Sequence, residues 1–152
     1  MHAPLPDPVL PAPARLLGPA GLIPFAGLAA GIWAGWPSAG PALAAYGATI
    51  LAFLGAVHWG LALVAPAPAP GREQAIEWGR LGLGVVPALL GWVALLLPLA
   101  AGLGLLASAI LATALVETIA ARAGLVPRAY LGLRWLLSIG AAVALLAGLL
   151  GL

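Results

Sequence analysis

Apolar residues fill the chain in five long stretches, and proline, glycine or charged residues separate each from the next. None alternates with polar positions as a half-buried strand does, and each is long enough to cross much of a bilayer as a helix. The pattern predicts an all-α integral membrane protein, a five-transmembrane-helix bundle with spans at about 19–36, 42–64, 81–97, 100–118 and 135–152. Residues 1–17 read as a Pro-rich N-terminal tail, extended over its first fourteen positions, and 18–152 as a single transmembrane domain. The tail does not read as a signal peptide, because prolines interrupt it where a basic start and an apolar core belong. The link Pro37–Pro41 is short enough to make spans 1 and 2 an antiparallel hairpin. Spans 3 and 4 almost touch, but one helix over residues 81–118 would be roughly 57 Å long against a ~30 Å hydrocarbon core. Pro98 is therefore the expected turn. Pro24 and Pro87 are expected to bend or break spans 1 and 3, and Glu73–Arg80 to form a short interfacial helix with Trp78 at headgroup level.

Small residues recur every fourth position on three of the spans. Gly27, Gly31 and Gly35 form such a row on span 1, and Gly140, Ala144 and Gly148 on span 5. Span 2 carries Ala44, Ala48, Ala52, Ala56 and Gly60. In lipid, rows of this kind let helices approach closely, since association there rests on van der Waals contact. They are the predicted helix-packing positions. His58 lies two residues from both Ala56 and Gly60, so the expectation is that it points away from the ladder.

Composition supports the membrane reading. The chain is 64% hydrophobic and 7% charged, with a mean hydropathy of +1.15, whereas soluble domains carry about 25% charged residues. The charge is also one-sided. All six arginines (Arg15, Arg72, Arg80, Arg122, Arg128 and Arg134) fall on the side that five spans assign to the N-terminal tail and the loops after spans 2 and 4. The other side has no charge. By the positive-inside rule the N-terminus is cytoplasmic and the C-terminus periplasmic, in a bacterial inner membrane. No basic run accompanies the high isoelectric point, so nucleic acid is not an expected partner.

Little in the sequence carries chemistry. Cysteine is absent, Met1 is the one methionine and His2 the one histidine besides His58, so no metal, haem or other cofactor is expected. HExxH, GxSxG and P-loop patterns are missing, and an enzymatic role is not expected. The polar positions of interest are His58 in span 2, Glu117 at the end of span 4, and Tyr130 and Arg134 before span 5. Ionisable groups at membrane depth are costly and often functional. One reading is a small polar cavity lined by His58, Glu117 and the carbonyls near Ala20 and Leu83 that Pro24 and Pro87 release. The other is plainer: His58 meets a carbonyl or a headgroup, Glu117 is solvated or paired with Arg122 or another arginine, and the prolines are kinks.

Three stretches carry a resemblance. GPAGLIPFAGLA at Gly18–Ala29, YGATILAFLGAVHWGLAL at Tyr46–Leu63, and Pro127, Tyr130, Leu133 and Arg134 in a PxxYxxLR pattern are similar to an uncharacterised family of small membrane proteins that includes mitochondrial transmembrane protein 69. The family tends to have Trp where this chain has Ala129, and Asp where it has Glu117. The resemblance implies an inner-membrane protein of about five spans and no particular activity. It adds interest to Tyr130 and Arg134, which share a helix face, and to Arg134 as a partner for Glu117 or a lipid phosphate. The expected function is a structural, accessory or assembly subunit packed against a larger membrane complex, or a homo-oligomer within the bilayer. The alternative is a small-solute or proton transporter with its polar site near His58 and Glu117.

Overall fold

A computed structural model describes residues 12–64, 73–122 and 128–152. Residues 1–11 of the tail expected to be extended, residues 65–72 with Arg72, and residues 123–127 with Pro127 lie outside the described residues. All regular structure among the described residues is helical: α1 Ala12–Ala20, α2 Leu22–Trp33, α3 Ala39–Val64, α4 Glu73–Leu96, α5 Leu99–Arg122 and α6 Arg128–Leu150. Among the described residues, four segments are long and apolar enough to cross a membrane: Pro13–Trp33, Ala39–Gly60, Leu99–Arg122 and Tyr130–Leu150. A fifth, Leu81–Leu96, is apolar but shorter.

The helices alternate in direction. Gly55 lies against Gly84 and Ala48 against Gly91, which makes α3 and α4 antiparallel neighbours. Gly102 of α5 meets the carbonyl of Ala94 on α4. Contacts of Gly18 with Leu133, Gly140 with Leu22 and Gly148 with Ile32 set α1, α2 and α6 side by side in one direction. The core between them is made of Phe25, Leu43, Leu51, Leu103, Leu106, Ile110 and Leu145. Outside it the helices expose large apolar side chains such as Ile23, Leu63, Trp92 and Val143, as a lipid-facing surface requires.

Helix boundaries depart from the sequence pattern at several of the prolines read as breaks. α1 begins at Ala12, inside the stretch read as tail, because Pro13 sits in the first turn, where a missing N–H removes no helical bond. The break in the first span falls at Gly21, between Pro19 and Pro24, and not at Pro24 itself. Pro24 cannot donate to the carbonyl of Ala20, so the ladder is interrupted just before it. Tyr46 braces the break by donating to the Gly21 carbonyl at 3.0 Å. Pro87 breaks nothing. α4 runs through it from Glu73 to Leu96, so Glu73–Arg80 is the first part of that helix and not a separate interfacial one. Likewise the segment before span 5 is already helical from Arg128. Pro98 does form the turn between α4 and α5, and its carbonyl accepts the Gly102 N–H at 2.9 Å.

The small-residue rows divide. Ala44 and Ala48 are buried, while Ala56 and Gly60 are exposed, and a Cβ on Gly60 would meet nothing. Ala52 lies between these extremes. A helix turns about 100° per residue, so positions four apart drift by about 40° each step and Gly60 ends roughly 160° from Ala44. The buried face of α3 mixes steps of four and three, staying close to the helical turn of about 3.6: Leu43, Gly47, Leu51, Leu54 and His58. His58 is fourteen residues from Ala44, about 40° away, so it shares the buried side and does not oppose it. On α2, Gly27 faces open space. Gly35, at φ 74°, is the left-handed residue that ends the helix. Its N–H bonds to Ile32 at 2.9 Å and that of Trp36 to Gly31 at 2.8 Å, the paired bonds of a Schellman cap. Gly31 packs on Trp36 and Ala39. Gly140 and Gly148 sit against Leu22 and Leu43, with Ala144 half-buried between them.

Candidate functional site

Three helices bring one ionisable side chain each to the same depth. His58 is six residues from the end of α3, Glu117 five from the end of α5 and Arg134 six from the start of α6, all about 7–9 Å in from those termini. All three are buried, with exposures of 6%, 1% and 1%. Arg134 donates through Nε to Glu117 Oε2 at 2.6 Å. His58 Nε2 lies 3.2 Å from Glu117 Oε1. A carboxylate accepts only, so Nε2 carries the proton in this contact and Nδ1 is the ring's remaining polar atom.

Hydroxyls complete the network. Arg134 Nη1 donates to Ser138 at 2.6 Å and Nη2 to Thr113 at 2.8 Å. Those hydroxyls donate in turn to helix carbonyls, Ser138 to Arg134 and Thr113 to Ile110, both at 2.8 Å. Beside them Trp135 donates to Thr118 at 2.9 Å. Local sequence explains the arrangement: Thr113 precedes Glu117 by four residues and Ser138 follows Arg134 by four, so each hydroxyl shares a face with its charge. Thr113 and Ser138 were missed in the sequence, although polar residues four from a charge inside apolar spans are a visible signal.

Glu117 is therefore neither solvated nor paired with Arg122, which is exposed at the end of α5. Its partner comes from the next helix, because antiparallel packing brings the end of α5 to the start of α6. Tyr130 is half-buried one turn before Arg134, and no hydrogen bond from its hydroxyl is found among the described residues. Arg134 is turned into the bundle, away from the surface where a lipid phosphate sits.

Two grooves flank the network in place of one polar cavity. The first, about 160 Å³, lies among α1, α2, α3, α5 and α6 and has Arg134 as its one charged lining residue. The second, about 120 Å³, lies among α3, α4 and α5 and is lined by His58, Leu83, Pro87 and Thr113 with apolar neighbours. Glu117 lines neither, because Arg134 and His58 close over it. Beyond the second groove, Trp59 donates to the Leu81 carbonyl at 3.2 Å, and its indole lies on Gly84, where no Cβ would fit. Among the described residues no three His, Cys, Asp or Glu side chains cluster as metal ligands would.

Transmembrane protein 69 of Xenopus tropicalis is 44% identical to this chain over 91 residues, which are 57% of the chain and 33% of that protein. The match thus covers about a third of the relative's length. No solved structure matches. Residues 10–150 match the family described as protein of unknown function (DUF3429). With that match over nearly its whole length, the chain belongs to the DUF3429 family of proteins of unknown function.

Proposed function

We propose that the chain is a five-pass protein of a bacterial inner membrane, N-terminus cytoplasmic, and that it serves as an accessory or assembly subunit packed against a larger membrane complex. The whole of α4, 24 residues and about 36 Å long, makes the third crossing. The observation that carries the functional reading is the buried polar network that ties α3, α5 and α6 together. Glu117 is held by Arg134 and His58, and Arg134 by Thr113 and Ser138. A buried network of this kind, linking three helices, rigidifies a bundle and fixes its register. The two flanking grooves are lined mostly by apolar side chains, which supports a packing role over a solute path. Meanwhile Gly27 and Gly60 leave open space on outward faces, where another protein's helix can approach. No reaction is assigned to the chain.

The test is native mass spectrometry of the protein extracted with its own lipids. A stoichiometric protein partner, lost in Gly27→Leu or Gly60→Leu without loss of helix content, supports the reading. A chain that leaves the membrane alone contradicts it. The second reading, a proton or small-solute transporter, draws on His58 lining a groove beside Pro87. Flux in proteoliposomes that disappears in His58→Gln would favour it.

A further inference from the structure

We propose that the groove above Arg134 is a binding site for one bilayer phospholipid, held through a glycerol-ester carbonyl. The guanidinium has five N–H groups. Three are used, on Glu117, Ser138 and Thr113, and the other two have no acceptor among the described residues. Arg134 is nonetheless only 1% exposed. Buried donors in native proteins find partners, so these two call for an acceptor that the chain does not supply.

The groove decides what that acceptor is. Its volume, about 160 Å³, is roughly ten times what one water needs. Its walls are Phe25, Ile50, Leu54 and Leu137. At its rim are Leu17 and Phe53, 71% and 65% exposed on the outward surface. The groove therefore opens sideways, toward hydrocarbon and not toward water, and its occupant comes from the bilayer. Polarity is graded along it. Arg134 and Ala141 both line it and are seven residues apart on α6, so it runs about 10 Å from the donor end toward the middle of the span. A phospholipid has the same order, ester carbonyl first and acyl chain deeper. The carboxylate of Glu117 already offsets the guanidinium charge, which suits a neutral carbonyl oxygen better than an anionic phosphate.

The experiment compares two probes with the same chains and the same headgroup: dioleoyl phosphatidylcholine and its diether analogue, which has no carbonyls. Each is titrated into the delipidated full chain and followed by native mass spectrometry. The expected result is one lipid per chain, with the diester bound about tenfold more tightly, the ratio that one charge-assisted hydrogen bond produces. Ile50→Trp and Leu137→Trp each fill the groove from one wall without touching the network. With helix content and unfolding midpoint retained, each is expected to abolish the ester preference. Equal binding of diester and diether by the wild-type chain overturns the proposal, as does a preference that survives in either folded variant. The wild-type comparison decides the matter even where neither variant folds.

Discussion

Breaking the Glu117–Arg134 pair from one side strands the other charge inside the bundle. In Glu117→Leu, Arg134 keeps Ser138 and Thr113 but loses its counter-charge; in Arg134→Met, Glu117 keeps only His58. Both groups are about 1% exposed, so neither is rescued by solvent. Removing one member of a buried pair costs about 3–5 kcal/mol, whereas replacing both by apolar residues of similar volume is often neutral or stabilising. An unfolded chain in lipid also finds partners for its polar groups, which brings the single-variant cost toward the lower end, about 3 kcal/mol. The double variant Glu117→Leu/Arg134→Met is therefore expected to be no less stable than either single one. A coupling of at least about 3 kcal/mol follows. Reversible unfolding in mixed micelles with increasing SDS, read by tryptophan fluorescence, measures all four corners of the cycle. Additive losses, with the double variant falling by the sum of the two, would refute the reasoning, since independent sites add and paired ones do not.

Other outcomes follow from single contacts. Gly84→Ala places a methyl group in the Trp59 indole and should cost about 1–3 kcal/mol, while Gly27→Ala, where a Cβ meets nothing, should leave the same unfolding curve unchanged. Tyr46→Phe removes the hydroxyl that braces the Gly21 break and should cost about 0.5–1.5 kcal/mol, with amide exchange in α1 rising before that in α3. His58→Gln keeps a donor toward Glu117 and should stay closer to the wild-type midpoint than His58→Leu. Because the chain has no cysteine, single cysteines report orientation cleanly: Ser38→Cys should react only with reagent outside the cell and Arg122→Cys only after the inner face is opened.

The sequence made the helical class and the number of apolar stretches legible, because length and hydropathy carry both. It located His58, Glu117 and Arg134, since charge stands out in hydrocarbon. What it did not reveal was facing. The alanine ladder of span 2 was read with a four-residue period, but a helix turns once in about 3.6 residues, and over sixteen residues the difference turns Gly60 away from Ala44. The same misreading hid Gly55, which lies against Gly84, and set His58 on the wrong side. Prolines misled in the opposite sense. Pro87 looks like a break in isolation, yet α4 passes through it, because in a membrane helix neighbouring groups compensate for one missing hydrogen bond. The hydroxyl partners were within reach of the same logic that found the charges, four residues along from each.

The network across α3, α5 and α6 turns on the Glu117–Arg134 contact, which pairs its two opposite charges at 2.6 Å. Solid-state NMR on the chain in lipid bilayers, with labels at Arg134 Nε and the Glu117 carboxyl carbon, measures that contact directly. The expected result is a measurable dipolar coupling between nuclei one hydrogen bond apart, and an immobile guanidinium. A vanishing coupling with a mobile arginine would contradict it, placing Arg134 at the membrane surface and leaving the bundle without its clamp.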